Sequence, residues 1–374
     1  MTEAHRTVLA DLLKRRIASD GPMTVGAFMA ACLTHPTHGY YVTRDPLGRA
    51  GDFITAPEIS QMFGELIGAW CVIAWEAMGK PAPFALVELG PGRGTLMADA
   101  LRAANVRPEF LAAAKLHLVE TSPVLRREQE KRLAAFHPSW LGDLGELPSQ
   151  PMILVANEFF DALPVEQFVR RDGAWHRRMV TLDGSGTLAL IESPDPVRLD
   201  GALDGAPDGA IVEMSPAGQA IAFEIGGRLR DRPGFALILD FGRRGALGES
   251  LQALRGHAAE PILANPGDAD LAAHVDFAAL AKAGSIAGAS AYGPLAQGIF
   301  LKTLGIETRA NALARAEPTR AKDVALAVSR LTGTRAMGHL FQALALASPT
   351  LGVPSGFESA PLVQGDAPPM ENGE

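Results

Sequence analysis

From residue 84 onward, the chain alternates short, continuously apolar runs with longer segments whose apolar residues recur at helical spacing. The clearest apolar runs cover residues 84–89, 115–120, 152–156 and 235–240, with a less distinct one at 140–142. The helical segments between them cover residues 95–104, 122–135 and 215–231. Because strands that are buried on both faces and separated by helices are typical of βαβ units, the pattern predicts an α/β fold built on a mostly parallel sheet.

The first 80 residues have a different pattern, which predicts helices and a loop. Apolar residues lie on one side of the segment 8–17, and further helices are expected at 23–33 and at about 58–78. Residues 1–80 are therefore interpreted as a helical N-terminal region with a lid, ahead of a main domain at 81–347.

Later segments interrupt the alternation of strands and helices. Two runs of β pattern flank Arg171-Asp172-Gly173, which is typical of a hairpin and predicts an antiparallel cover segment at about 165–210. A helical insert is expected at about 242–282, and late strands at 296–304 and 338–347 enclose a helix at 311–331. Residues 348–374 are expected to be a disordered tail, since the last of them are polar, acidic and rich in proline.

Composition narrows the class of protein. A chain of 374 residues, of which 47% are hydrophobic, can bury a large core. The net charge of −8 argues against general binding to nucleic acid, and two cysteines cannot form a disulfide framework. The histidines are scattered, so no metal site is expected. No signal peptide or membrane-spanning helix is recognisable, which predicts a cytoplasmic protein without a membrane span.

A glycine-rich turn follows the first apolar run, in the sequence Glu88-Leu-Gly-Pro-Gly-Arg-Gly-Thr95. Its spacing does not fit the dinucleotide fingerprint Gly-x-Gly-x-x-Gly, whose third glycine would fall at Thr95. An acid at the strand end instead suits a ligand that has an amino group and no phosphate, such as S-adenosylmethionine (SAM). Glycines also allow the backbone to approach a ligand closely. By itself, however, a turn of this kind also occurs in ordinary loops.

Polar residues end several of the predicted strands. They are Glu88, Glu120, Asp143, Asn157 with Glu158, and Asp240. In an open parallel sheet, ligands bind outside the carboxyl ends of the strands. Glu120 ends the second strand, where a carboxylate can accept both ribose hydroxyls of either NAD or SAM. Each acid taken singly is better explained as a helix N-cap, but the series along one edge favours a binding site.

Two further motifs contain candidate chemistry. Asn157-Glu-Phe-Phe-Asp-Ala-Leu-Pro164 combines an amide, two acids and two aromatic rings, which can hold an amine or a guanidinium. Its alternative interpretation is a capped strand-to-turn junction with both phenylalanines in the core. Gly51-Asp-Phe-Ile-Thr-Ala-Pro-Glu58 ends in a helix N-terminus, whereas its first residues and Gly39-Tyr40-Tyr41 suit a lid over a cofactor.

Four motifs in this order resemble the MidA-like family of class I SAM-dependent methyltransferases, which includes the mitochondrial complex I assembly-factor protein arginine methyltransferase. The motifs are His35-Pro-x-x-Gly-Tyr-Tyr41, the segment 51–58, the glycine turn and the segment 157–165. The resemblance extends from about residue 20 to residue 347 and includes Gln297-Gly-Ile-Phe-Leu301. It implies a Rossmann-like, mostly parallel seven-stranded sheet with inserted cover elements, and SAM as the cofactor.

The resemblance also implies roles for individual residues. The expected cofactor-binding residues are Glu88, Gly90, Gly92, Gly94 and Thr95 at the turn, Glu120 on the ribose, Asp143 on the adenine amino group, and Asp52. The expected catalytic residues are Glu158 and Asp161, which would orient a guanidinium, and Asn157 as a further acceptor.

The expected function is therefore N-methylation of a protein substrate at arginine, by symmetric dimethylation linked to respiratory complex I assembly. A SAM-dependent enzyme acting on a small molecule or on RNA would share the cofactor half of the site. A chaperone that binds SAM without turnover is an alternative of another class. An NAD-dependent oxidoreductase is disfavoured by Glu88 and Thr95.

Overall fold

The structure is a computed structural model that describes residues 7–43, 55–199 and 203–363. Its α-helices are α1 Val8–Asp20, α2 Val25–Thr34, α3 Tyr40–Thr43, α4 Ala56–Ile59, α5 Gln61–Ala77, α6 Thr95–Ala104, α7 Pro108–Ala113, α8 Pro123–Leu133, α9 Pro216–Asp231, α10 Phe277–Ile286, α11 Gln297–Thr303, α12 Ile306–Ala316, α13 Ala321–Thr332 and α14 Met337–Leu340. Its strands are β1 Met23–Thr24, β2 Phe84–Leu89, β3 Ala114–Val119, β4 Ser139–Leu141, β5 Met152–Asn157, β6 Glu166–Arg171, β7 Ala174–Leu182, β8 Leu188–Val197, β9 Ile211–Met214, β10 Gly234–Arg243, β11 Gln252–Arg255, β12 Ala258–Glu260, β13 Asp270–Ala272, β14 Val275–Asp276, β15 Ser290–Ala296, β16 Phe341–Ala347 and β17 Leu362–Val363. Among the helices in these ranges, none is long and apolar enough to cross a membrane.

A nine-stranded sheet occupies the centre of the molecule. Its order is β17-β15-β16-β10-β5-β2-β3-β4, and β14 pairs with the end of β10. The strands from β10 to β4 are parallel. Strand β16 is antiparallel to both of its neighbours, β10 and β15, so β15 has the same direction as the parallel set. The predicted α/β fold with a mostly parallel sheet is confirmed. The strands from β15 to β4 make up the expected set of seven, to which β14 and β17 are added.

Helices cover both faces of this sheet, which explains why its strands are continuously apolar. Successive side chains of a strand point to opposite faces. In β2, Leu86 packs into the core under α5 and α6, while Val87 packs into the core under α9 and α10. Both faces of β2, β5 and β10 are therefore removed from water, and Glu88, Asn157 and Asp240 lie toward the carboxyl ends of these strands.

A second, antiparallel sheet has the order β1-β7-β6-β9, with β8 against β7. The predicted hairpin is confirmed, because Asp172 and Gly173 connect β6 to β7 with φ angles of 51° and 75°. Helix α2 packs against this sheet, and its Phe28 and Met29 share a core with Val165. Helix α5, by contrast, packs against α6 in the central core, so the predicted N-terminal region is divided between two layers.

The predicted helical insert at 242–282 is mostly wrong. Strands β11, β12 and β13 form a three-stranded antiparallel sheet, and only α10 is helical at the end of the segment. Ala253 pairs with Leu271, and both are buried in the core that α2 shares. Strands of three or four residues are too short to show a period of two, so only their pairing reveals them.

The predicted strand at 296–304 is also wrong, because β15 ends at Ala296 and α11 follows at once. Phe300 and Leu301 are buried while Ile299 is 55% exposed, which is the one-sided burial of a helix. A short apolar run does not distinguish a strand from a buried helix. The second late strand is present as β16.

The chain remains structured beyond residue 347. Phe357 is fully buried against Phe300, with their ring centres 5.2 Å apart, and β17 pairs with β15. The expectation of disorder is therefore wrong for residues 348–363, because an apolar side chain anchors them to the core. Residues 364–374 lie outside the described part of the chain.

Candidate functional site

Strands β2, β3, β4, β5 and β10 are parallel, so their carboxyl ends meet at one edge of the sheet. The structure brings the predicted strand-end residues to this edge. Glu88 lies in β2, Glu120 follows β3, Asp143 follows β4, Asn157 ends β5 and Asp240 lies in β10. Asp52 falls outside the described residues, as does the part of the predicted lid between residues 44 and 54.

The turn between β2 and α6 requires its glycines. Gly90, Gly92 and Gly94 have φ angles of 58°, 54° and 74°, a region that residues with a Cβ atom enter at a cost. A Cβ atom on Gly90 would lie 2.7 Å from Cδ2 of Phe159, in the turn after β5. The glycine turn and the turn after β5 are therefore in direct contact.

Glu88 is a buried carboxyl without a hydrogen-bond partner at one oxygen. The residue is 3% exposed, and among the described residues no group bonds to its Oε2. Burial, together with the charge of Glu120, raises the pKa of Glu88 to about 8. Since a buried polar atom without a partner is costly, this carboxyl is suited to a cationic or hydrogen-bond-donating ligand.

Glu120 is held in place by two donors at the end of β3. Its Oε1 accepts from the Ser122 backbone N–H at 2.7 Å, and its Oε2 accepts from Nε2 of Gln129 at 3.1 Å. Burial raises the pKa of Glu120. Asp143 lies two residues beyond β4 and is exposed, so it is accessible to a ligand at the same edge.

Thr95 begins α6 and links three helices. Its hydroxyl donates to Oε1 of Glu58 on α4 at 2.6 Å and accepts from the Arg132 guanidinium on α8. Glu58 had been explained from the sequence by the N-terminus of its own helix. In the structure it also bonds to the first residue after the glycine turn, a contact between residues far apart in the chain.

The turn after β5 brings the three predicted catalytic residues together. Glu158 has a φ angle of 51°, which is unusual for a residue with a side chain and marks a constrained backbone. Its Oε1 accepts from the Ala56 N–H at 2.7 Å and from Nδ2 of Asn157 at 3.3 Å. Oδ1 of Asn157 is buried and has no partner among the described residues.

Burial raises the pKa values of the two carboxyl groups in this turn. It raises the pKa of Glu158 to about 7, with a further increase from the charge of Asp161. The pKa of Asp161 is itself raised to about 6, again by burial. Carboxyl groups with pKa values close to neutrality can exchange protons at physiological pH, which is typical of functional sites.

Asp240 stabilises the turn after β5 through hydrogen bonds to its backbone. It is fully buried, and its Oδ2 accepts from the backbone N–H groups of Phe159 at 3.0 Å and Phe160 at 2.8 Å, with a longer contact of 3.4 Å to that of Asp161. Its Oδ1 accepts from the Phe241 N–H at 2.8 Å. The sequence indicated only that Asp240 ends a strand, whereas the structure shows it organising the turn that carries Glu158.

Tyr41 approaches the same end of the sheet from the N-terminal region. Its hydroxyl lies 3.1 Å from each carboxylate oxygen of Asp270 and donates to that carboxylate. Burial and the negative charges of Asp270 and Asp161 raise the pKa of the Tyr41 phenol well above its usual value. The motif at 35–41 drew attention to Tyr41, but no sequence pattern indicated Asp270.

Gln129 is the other residue that the sequence did not indicate. It lies on α8, is fully buried, and bonds to both the glycine turn and Glu120. The sequence did contain a signal for Gln129. It lies four residues from Leu125 and from Leu133, on the apolar side of the helix, and this side seldom carries an amide.

Comparisons with known proteins agree with the resemblance found in the sequence. Residues 66–295 match the family described as "Putative S-adenosyl-L-methionine-dependent methyltransferase". The chain is 37% identical over 362 residues to the mitochondrial protein arginine methyltransferase NDUFAF7 of Mus musculus, a match that covers 89% of this chain and 83% of that protein. The corresponding protein of Homo sapiens is 36% identical, with coverage of 89% and 82%.

A solved structure agrees with the fold as well. The crystal structure of a protein from Burkholderia thailandensis bound to S-adenosyl-homocysteine superimposes with a TM-score of 0.84. The two sequences are 27% identical, and the match covers 94% of this chain and 95% of that chain.

The comparisons correct the predicted location. The relatives from Mus musculus, Homo sapiens and Drosophila melanogaster are all named as mitochondrial proteins. The prediction of a cytoplasmic protein, which had rested on the lack of a recognisable targeting segment, is therefore wrong.

Proposed function

Because the chain belongs to this family of S-adenosyl-L-methionine-dependent methyltransferases, we propose that it transfers the methyl group of SAM to a guanidinium nitrogen of an arginine in a protein substrate. The observation that supports this most directly is the contact between Gly90 and Phe159. It sets the acidic turn that carries Glu158 and Asp161 against the glycine turn, so a cation held by those acids lies next to the cofactor.

The residues at the edge fit SAM. The buried Oε2 of Glu88 has no partner among the described residues and would accept from the amino group of the methionine part. Gly90, Gly92 and Gly94 leave the backbone open to close approach, and Thr95 follows them at the start of α6. Glu120 would hold the ribose and Asp143 the adenine amino group. Bound SAM supplies a methyl group on a positively charged sulfur.

The acids after β5 fit an arginine side chain. Arginine is protonated in water, so its positive charge must be drawn away from the nitrogen that attacks. Glu158 and Asp161 would bond to the other nitrogens and concentrate the charge there, and the unpartnered Oδ1 of Asn157 offers a third acceptor. One proton leaves the guanidinium with each methyl transfer. The Glu158 carboxylate, whose pKa is raised to about 7, can accept it.

The resemblance to the MidA-like family supports two finer parts of the proposal. These are symmetric dimethylation as the reaction and a subunit of respiratory complex I as the acceptor. The names of the relatives support arginine in a protein as the acceptor class.

Methyl transfer can be tested directly. The purified protein is incubated with methyl-labelled SAM and a mitochondrial extract, and labelled proteins are digested and analysed by mass spectrometry. We expect label on arginine, as symmetric dimethylarginine. Label on an oxygen, on a carbon, on RNA or on a small molecule would overturn the arginine proposal. SAM binding without any transferred label would favour the chaperone instead.

SAM affinity is expected to depend on pH through Glu88. In the free protein its pKa is about 8, and an ammonium group bound beside it would lower that pKa. Binding below pH 8 therefore releases a proton, so affinity rises with pH by up to about tenfold per unit. Calorimetry with S-adenosyl-homocysteine between about pH 6 and pH 8 should show this rise, and Glu88→Gln should bind more weakly with little pH dependence. An unchanged slope in Glu88→Gln would assign the proton to another group.

A further inference from the structure

The side-chain amide of Gln129 makes three hydrogen bonds. Two are to groups at the carboxyl edge of the sheet, and the third is to a residue of strand β4. Its Nε2 donates to the Gly92 carbonyl at 2.7 Å and to Oε2 of Glu120 at 3.1 Å. Its Oε1 accepts from Nε1 of Trp140, on β4, at 2.8 Å. The amide therefore joins the turn after β2, the acid after β3 and strand β4.

Packing alone does not explain a glutamine at this position. The buried residues of α8 are Leu125, Gln129 and Leu133, which lie four residues apart on one side of the helix. A buried amide costs free energy unless its donors and acceptor are bonded, whereas leucine would fill such a position without that requirement. The amide is fully buried, and two of the three groups that it bonds, the Gly92 carbonyl and the Glu120 carboxylate, belong to the proposed cofactor site.

We propose that Gln129 is a positioning residue for the cofactor, which acts by orienting the carboxylate of Glu120 and the backbone of the glycine turn as one unit. Ser122 holds one oxygen of Glu120 and Gln129 holds the other, so the plane of the carboxylate is defined before a ribose arrives. The bond to the Gly92 carbonyl ties the same amide to the turn that faces the methionine part. This inference rests on the proposed cofactor site, and its test separates the two.

The test is a double-mutant cycle on the affinity for S-adenosyl-homocysteine, measured by calorimetry on the full chain. Gln129→Met keeps the length of the side chain and removes its hydrogen bonds. We expect it to weaken binding by about tenfold or more, and Glu120→Ala to weaken it by about tenfold to 100-fold. In the Glu120→Ala background, Gln129→Met should weaken binding by a clearly smaller factor than in the wild type, because one of the two groups through which it acts is gone and only the bond to the Gly92 carbonyl remains to be lost.

The chain offers a matched control for the loss of a buried amide. Gln167 is also fully buried, and its Nε2 donates to a carboxylate, Oε1 of Glu213, at 2.8 Å, outside the proposed cofactor site. Gln167→Met is expected to lower the melting temperature in the same way and to leave the affinity within about twofold. Steady-state kinetics should show a higher KM for SAM in Gln129→Met, with the KM for the protein substrate unchanged.

The outcomes are distinct. If Glu120→Ala weakens binding but Gln129→Met does not, the proposed ribose site remains and the role of Gln129 is overturned. If Gln129→Met costs as much without Glu120 as with it, the residue does not act through Glu120, and the inference is overturned as well. Unchanged affinity in Glu120→Ala would overturn both. Should Gln129→Met fail to fold, Trp140→Phe removes the donor that the described residues supply to Oε1, and a loss of affinity that is smaller in the Glu120→Ala background is then the expected result.

Discussion

Glu158→Gln is expected to lower kcat for methyl transfer by about 10²-fold or more, the scale of losing one preorganised charge interaction, while leaving SAM affinity nearly unchanged. The amide keeps the shape of the side chain, and its oxygen can still accept from the Ala56 N–H. It can no longer concentrate positive charge on the acceptor or take up the proton that leaves. Turnover on an identified protein substrate and affinity for S-adenosyl-homocysteine should be measured on the same preparations.

The pH profile provides the matching control for Glu158. Because its pKa is raised to about 7, the carboxylate becomes available as the pH increases through that value. The wild-type kcat/KM, which reports groups of the free enzyme, should therefore rise with pH through about 7, and this limb should be absent in Glu158→Gln. Asp161→Asn is expected to lower kcat as well, because the amide no longer concentrates positive charge on the guanidinium nitrogen that it would hold. Normal turnover in Glu158→Gln would exclude the residue from the mechanism.

Gly90→Val is expected to weaken binding of S-adenosyl-homocysteine by about 100-fold or more, which corresponds to roughly 2.7 kcal/mol. The new Cβ would lie 2.7 Å from the Phe159 ring, so either this ring must move or the two turns of the proposed site must separate. A β-branched residue at a φ angle of 58° also distorts the turn itself. Calorimetry on the folded variant measures the loss.

Gly79→Val separates this effect from backbone strain. Gly79 has a φ angle of 82°, and a Cβ atom there meets nothing within 4 Å. Both variants should lose about 1–2 kcal/mol of stability from the left-handed backbone, which thermal unfolding can compare. Only Gly90→Val should lose the ligand. Equal affinity in the two variants would mean that the glycine turn does not contact the cofactor.

The apolar pattern of the sequence was sufficient to locate the central sheet and the candidate site at its edge. Strands buried on both faces must be continuously apolar, so β2, β3, β5 and β10 were visible in the pattern. Parallel strands bring their carboxyl ends to one edge, so Glu88, Glu120 and Glu158 could be assigned to a common site before any contact was known. The glycine spacing after β2 depends on local backbone geometry, which the sequence encodes directly.

The conformation of short segments depends on the segments that they pair with or pack against. Strands β11 to β13 have three or four residues each, and only pairing with one another distinguishes them from loops. The segment 297–303 carries an apolar run that suits a strand or a helix, and it became a helix because Phe300 and Leu301 are buried on one side. The local sequence pattern does not predict the conformation of these segments, because the free energy of burial depends on the residues that they pack against.

Which polar groups act on one another depends on the folded structure. Gln129 reaches Glu120 and Gly92, Asp240 bonds to three backbone N–H groups of the turn after β5, and Tyr41 bonds to Asp270. The partners in the last two cases are about 80 and about 230 residues apart along the chain. A polar residue shows its chemistry in the sequence, but its pKa and its role depend on burial and on neighbours that folding alone brings close.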